Sequence, residues 1–206
     1  MQEIDIIFAI AVLIMSVVIH EVSHGYAASA MGDPTAKYAG RLTLNPAKHL
    51  DFMGSFIVPL ITSLLGGFIF GWAKPVPYNP YNLKNQKWGP AGVAAAGPAA
   101  NFFVAAVFGL LIRYGSAYDI LSPAFLQIAT LIVFINIILG VFNLVPIPPL
   151  DGSKVLFAIL PYRWSHIQEF LERYGFFILI VFILFFFHLV FPVVFGLFKL
   201  LTGTSL

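Results

Sequence analysis

Four stretches of this chain carry no charged residue at all, 52–73, 88–112, 120–150 and 174–198, and a fifth, 6–32, carries only Glu21. A helix needs about 20 apolar residues to cross a bilayer, and each stretch exceeds that length. In hydrocarbon the backbone must satisfy its own hydrogen bonds, which confines such segments to helices packed on one another. With 60% hydrophobic and 10% charged residues, the composition excludes an ordinary soluble domain and makes the lipid bilayer the first partner. A net charge of +2 points to no nucleic-acid partner. The first stretch is too long for a cleaved signal and has no basic residue at its start, so it reads as a permanent span.

Within that first span lies His20-Glu21-Val22-Ser23-His24. The apolar run predicts a helix from about residue 4 to 31, stopped by Gly32-Asp33-Pro34. Histidines four residues apart on a helix point the same way, so their imidazoles can share one metal ion. Glu21, beside the first, can take a proton from an attacking water. Ionisable groups in hydrocarbon cost a few kcal/mol each, which marks these residues as functional by default. The chain has no cysteine, so a metal must be held by nitrogen and oxygen, a donor set that suits zinc among other divalent ions.

The rest of the chain reads as further membrane elements. Tyr38–Leu44 alternates and carries strand formers, which predicts a short strand or hairpin ended by Asn45-Pro46. Residues 52–72 are apolar but interrupted by Gly54, Pro59, Gly66 and Gly67, as a span or a re-entrant hairpin would be. Helices follow over about 89–114 and 123–144. The first carries Gly97-Pro98 and Asn101, small and polar residues that allow close helix approach. On the second, Asn136, Gly140 and Asn143 share one face and lead into Val145-Pro146-Ile147-Pro148-Pro149-Leu150-Asp151-Gly152. Three prolines in four residues cannot continue a helix, so Asp151 is expected on extended backbone lining a cavity. An amphipathic surface segment, 153–174, precedes a last span kinked at Pro192. The expected fold is an all-α polytopic membrane protein of about four transmembrane helices plus a re-entrant hairpin and a short membrane-associated β element. Residues 1–152 form the core; 153–206 form the surface segment and C-terminal span.

Catalytic zinc takes three protein ligands and leaves a fourth position open. Asp151 is the preferred third ligand beside His20 and His24, because an aspartate at the apolar end of a proline-broken span has no other evident duty. Asp33 and Asp51 read as surface carboxylates beside turns, His49 as a loop residue, Glu169 and Glu172 as a solvated face, and His188 as a packed histidine. A site shared by the ends of two helices requires both ends on one side of the membrane, and residues 32–87 must then begin and end there. That topology puts Lys37, Arg41, Lys48, Lys74, Lys84, Lys87, Lys154, Arg163 and Arg173 on one side and Arg113 and Lys199 on the other. The positive-inside rule then sets the site near the cytoplasmic face of the cell membrane.

This constellation implies metal-assisted amide hydrolysis, with Glu21 taking the water proton and delivering it to the leaving amine. Asn143 and Asn101 could bind the substrate backbone or the developing oxyanion, or bond between helices. A substrate helix must unwind to expose an amide, and a strand edge at Tyr38–Leu44 could pair with the extended form. A divalent-metal transporter is the alternative from another class, since intramembrane His and acidic groups also mark ion pathways; it should show several ligand pairs and an internal repeat, and neither is present. A pseudoprotease that binds helices without cutting is a third reading, against which the intact Glu21 speaks.

His20-Glu21-Val22-Ser23-His24-Gly25, Gly97-Pro98-Ala99-Ala100-Asn101 and the Phe142–Gly152 segment together resemble the site-2 protease family of intramembrane zinc metalloproteases. Gly40-Arg41-Leu42-Thr43-Leu44-Asn45-Pro46 is similar to the loop that follows the first motif in many members. The resemblance runs from about His20 to Gly152. It implies zinc ligands at His20, His24 and Asp151, Glu21 as catalytic base, a strand region after the first motif, and regulated cleavage of membrane-anchored protein substrates. Phe52 stands where many relatives have proline, and the chain has room for neither a PDZ nor a nucleotide-sensing domain. It resembles a minimal catalytic core.

Overall fold

The computed structural model describes residues 3–51, 53–57, 61, 73–118 and 120–204. Its main helices are α1 (Glu3–Ala30), α2 (Thr35–Tyr38), α3 (Gly89–Ala117), α4 (Pro123–Asn143), α5 (Asp151–Ile159), α6 (Ser165–Val181) and α7 (Val190–Thr202). Four helical stretches among the described residues are long and apolar enough to cross a membrane: Ile7–Ala30, Gly89–Ser116, Pro123–Asn143 and Tyr162–Thr202. The chain is an integral membrane protein. Large side chains such as Ile7, Phe103, Phe177 and Leu184 are exposed on the outside of the bundle, as suits helices that cross a bilayer.

Helices α3, α4 and α7 enclose an apolar core of Ala105, Ile112, Ala129, Val133, Ile137, Val190, Val194 and Phe198. Small residues set how closely they approach: a Cβ on Gly140 would stand 2.8 Å from the Phe102 ring, and one on Gly109 would stand 2.7 Å from Leu201 Cβ. At the far end of α3, Arg113 donates to the Leu200 carbonyl at 2.9 Å. The opposite end gathers the C-terminus of α1, the N-terminus of α3 and the loop after α4.

The structure keeps the expected spans and changes several details. No strand occurs among the described residues. Tyr38 closes the one-turn helix α2, and Gly40 reverses the chain at a φ of 63°. Alternation alone does not make a strand without a partner; here Arg41 and His49 make side-chain bonds to backbone carbonyls instead. The re-entrant reading of 52–72 lies largely outside the described residues, of which only 53–57 and 61 belong to it. Its flanks do meet: Lys74 N–H donates to His49 O at 2.9 Å, and Lys84 N–H to Met31 O at 3.0 Å. Residues 32–87 thus begin and end at the same end of the bundle.

Asp151 is not on extended backbone. The irregular turn ends at Leu150, and Asp151 opens α5. A side chain at Gly152 would lie 2.1 Å from the Leu144 carbonyl oxygen, so only glycine lets α5 start so close to the end of α4. Helix α6, Ser165–Val181, runs through residue 174 and joins the end of the surface segment to the last span. The break falls at 182–189 rather than at Pro192, which occupies the first turn of α7, where its missing N–H costs no intrahelical bond.

Asp33, expected at the surface, is fully buried. Its carboxylate accepts from Thr35 Oγ at 2.5 Å, Thr35 N–H at 3.2 Å, Asn79 N–H at 2.6 Å and Asn82 Nδ2 at 2.8 Å. Burial alone would raise its pKa; the bonds from Thr35, Asn82 and Asn79 outweigh that and hold it below the usual carboxylate value. Replacing Asp33 by alanine strands these donors and should destabilise the protein by about 3–5 kcal/mol, seen as a lower unfolding temperature in detergent. Because the folded-state pKa is the lower one, Asp33 stabilises at neutral pH, and this contribution disappears as pH falls through the carboxylate range. The alanine variant should therefore lose less stability on acidification than wild type.

Candidate active site

The second half of α1 brings His20 and His24 to one face, their rings 4.6 Å apart and nearly perpendicular. Asp151 meets both: its Oδ2 lies 3.0 Å from His20 Nε2 and 3.3 Å from His24 Nε2. Each imidazole is oriented from behind. His24 Nδ1 lies 2.7 Å from Val93 O, which can only accept, so Nδ1 carries the proton. His20 Nδ1 lies 2.6 Å from Asn101 Oδ1. The Asn101 amide is fixed in turn, because its Nδ2 faces the Ser16 carbonyl at 3.3 Å and Asn136 Oδ1 at 2.8 Å. Asn136 completes the network by donating to Ser16 Oγ and Ile132 O, both at 2.9 Å.

With both Nδ1 atoms committed, each ring turns Nε2 toward Asp151. Three potential ligand atoms converge there, and Asp151 Oδ2 is buried without a hydrogen-bond partner. A cation resolves that arrangement. Tetrahedral ligands at roughly 2.0–2.1 Å from zinc stand roughly 3.3 Å apart, close to the separations between Asp151 and the two rings. Gly97 of α3 supplies the room. A Cβ there would stand 2.5 Å from His24 Nε2 and 2.6 Å from His20 Nε2. The donor set and the space fit a zinc ion. Among the described residues, His20, His24 and Asp151 form the one such group of potential ligands. Asp151 also sits in the first turn of α5, where the helix dipole favours a carboxylate.

Glu21, next to the first ligand, is half-buried and accepts Val76 N–H on Oε2 at 2.9 Å. Asn101 has no exposure, and its carboxamide N–H groups point to Ser16 and Asn136. It backs His20 and bonds between helices, the packing alternative to an oxyanion role; buried amide donors between helices seek protein partners. Asn143 donates to Leu139 O of its own helix at 2.9 Å and is half-buried. Of the residues weighed against Asp151, Asp33 and His49 are buried in the loops, Glu172 lies 3.8 Å from Lys154, and His188 is exposed. The polar stripe on α4 and the Gly-Pro pair on α3 mark Asn136 and Gly97 in the sequence without their roles, and nothing there marks Val76.

A membrane-embedded His-Glu-x-x-His helix whose imidazoles meet an aspartate from a second helix defines an intramembrane metallopeptidase. The description of peptidase family M50 matches residues 8–126 and 113–186, and the chain belongs to that family. It is 35% identical over 179 residues to "Putative zinc metalloprotease YwhC" of Bacillus subtilis, covering 84% of this chain and 78% of that protein. It is 31% identical over 175 residues to "Putative zinc metalloprotease Rip2" of Mycolicibacterium smegmatis, covering 85% of this chain and 66% of that one. At 26% identity over 157 residues it is also similar to zinc metalloprotease MJ0392 of Methanocaldococcus jannaschii, covering 76% of this chain and 35% of the other. No solved structure gives a significant match. The chain is a zinc metalloprotease of the site-2 type, and these relatives do not favour the transporter alternative.

Proposed function

We propose that the protein hydrolyses peptide bonds within or beside the spans of membrane-anchored proteins, with His20, His24 and Asp151 holding zinc and Glu21 acting as general base. The observation that carries this reading is the convergence of three potential ligand atoms beneath Gly97, one residue from a tethered carboxylate. Zinc, when bound, supplies Lewis acidity that brings the pKa of water toward ~7 and polarises the scissile carbonyl. Glu21 keeps Oε2 on Val76 N–H, which leaves its other oxygen to take the water proton and pass it to the leaving amine. Asn101 is a positioning residue: it fixes the His20 tautomer and ring angle, as outer partners of metal ligands do. Asn143, on the α4 face that leads to Asp151, is left to meet the substrate backbone.

The active site lies near the cytoplasmic face. Arg113 and Lys199 belong to the other end of the bundle, where Arg113 caps Leu200, and the positive-inside rule assigns that end to the outside. The test is reconstitution of the zinc-loaded protein in liposomes with single-span polypeptides whose spans carry Gly, Pro or Asn. Cleavage that depends on Glu21 supports the reading. Binding without cleavage by wild type indicates a pseudoprotease, and zinc uptake a transporter; either contradicts it.

A further inference from the structure

Glu21 is not held by its own helix. Its Oε2 accepts the N–H of Val76, 55 residues away, at 2.9 Å. Val76 is buried, but its short segment forms no regular structure of its own and borrows its position from two side branches of the preceding loop. Lys74 N–H donates to His49 O at 2.9 Å. From the other side, Arg41 Nη2 donates to Lys74 O at 2.8 Å and to Pro75 O at 3.4 Å. Arg41 is itself buried, 8% exposed. Pro75 and Pro77 flank Val76 and offer no N–H of their own, so position 76 presents the one amide donor between Lys74 and Tyr78.

A buried guanidinium is costly unless it is matched by acceptors, and Nη2 of this one donates to two main-chain carbonyls of the 74–75 segment. Such an arrangement fixes backbone, not charge. We infer that Arg41 is a positioning residue for the general base: by clamping the Lys74 and Pro75 carbonyls it sets the Val76 amide, and through that amide the rotamer of Glu21. The chain of contacts is Arg41 guanidinium, Pro75 carbonyl, Val76 amide, Glu21 carboxylate. Among the described residues, the side-chain hydrogen bonds of Arg41 go to Lys74 and Pro75 and not to His20, His24 or Asp151. The assignment rests on the protease reading above and extends it to a residue outside the metal centre.

The experiment compares wild type, Arg41→Gln, Arg41→Lys, Val76→Pro, the Arg41→Gln/Val76→Pro double variant and Glu21→Gln. Each is reconstituted with the same single-span polypeptide. Zinc per chain, kcat, KM and amide hydrogen exchange across residues 73–78 are measured. Arg41→Gln should retain wild-type zinc, exchange faster in that segment and show kcat lower by about 10²-fold, because a misplacement near 1 Å costs about that much. KM should change by less than about threefold, the signature of a group needed in the transition state only. Lysine, which keeps a charged donor, should restore part of kcat. Val76→Pro removes the donor itself, and the double variant should be no slower than the slower single variant, since both act through one bond. Full kcat in Arg41→Gln overturns the inference, as does zinc loss that parallels the loss of kcat, and as do additive effects in the double variant. If wild type and Glu21→Gln behave alike, the protease reading fails; if wild type alone cleaves and Arg41→Gln cleaves as well as wild type, only the role of Arg41 fails.

Discussion

Gly97→Ala should empty the metal centre while leaving the fold intact. The added methyl would lie 2.5–2.6 Å from the facing ring atoms of His20 and His24, where ordinary contacts are nearer 3.5 Å, so the rings must retreat by about 1 Å. They have nowhere to go as a pair. His24 is tied to Val93 O, on the same helix as Gly97, and His20 to the buried Asn101 network. Alanine is the better helix former by about 1 kcal/mol, so α3 itself should not suffer. The expected result is a fall from about one zinc per chain to under about 0.1, with an unfolding temperature for the metal-free protein at or a few degrees below that of metal-free wild type, since overpacking by about 1–3 kcal/mol is partly offset by the helix-propensity gain. Zinc content measured beside thermal unfolding separates this from simple misfolding. A variant that binds zinc normally would show that the space beneath Gly97 is not the metal's.

Glu21→Gln should do the reverse, keeping the metal and losing the chemistry. The amide keeps the shape of the carboxylate, and its oxygen can still accept Val76 N–H, so the tether survives. What disappears is the basicity. General base catalysis contributes about 10²–10⁴-fold, equivalent to ~2.7–5.5 kcal/mol of barrier. Turnover should fall by that range or more, with zinc content unchanged and KM within a few-fold of wild type. A drop in zinc alongside activity would make Glu21 a ligand rather than a base.

Much of this centre is legible in the sequence because the physics involved is local. The spacing of His20 and His24 is a helix turn, and the apolar setting excludes a bland role for Glu21. Asp151 is reached by topology: the proline-rich turn ends α4, and same-side reasoning carries the aspartate to the histidines. The meeting of Met31 with Lys84 agrees with that reasoning. What was misread depends on partners far away in the chain. Asp33 looks like a turn carboxylate until Asn79 and Asn82 are brought to it. Tyr38–Leu44 has the alternation of a strand, but pairing is a property of two segments, and here the segment bonds through Arg41 and a one-turn helix. Asn101 has a face that sequence gives and a partner that it does not; the same amide could serve an oxyanion or an imidazole, and only packing against α1 and α4 decides. The start of α5 at Asp151 was hidden because three prolines predict where a helix stops, not how soon the next begins.

The claim on which the rest depends is that three residues from two distant parts of the chain hold one metal. Zinc per chain in detergent-purified wild type and Asp151→Ala measures it most directly. The account requires about one zinc in wild type and a loss of most of it in Asp151→Ala, since two imidazoles alone leave the site short of its three protein ligands. Full zinc in Asp151→Ala would contradict the account.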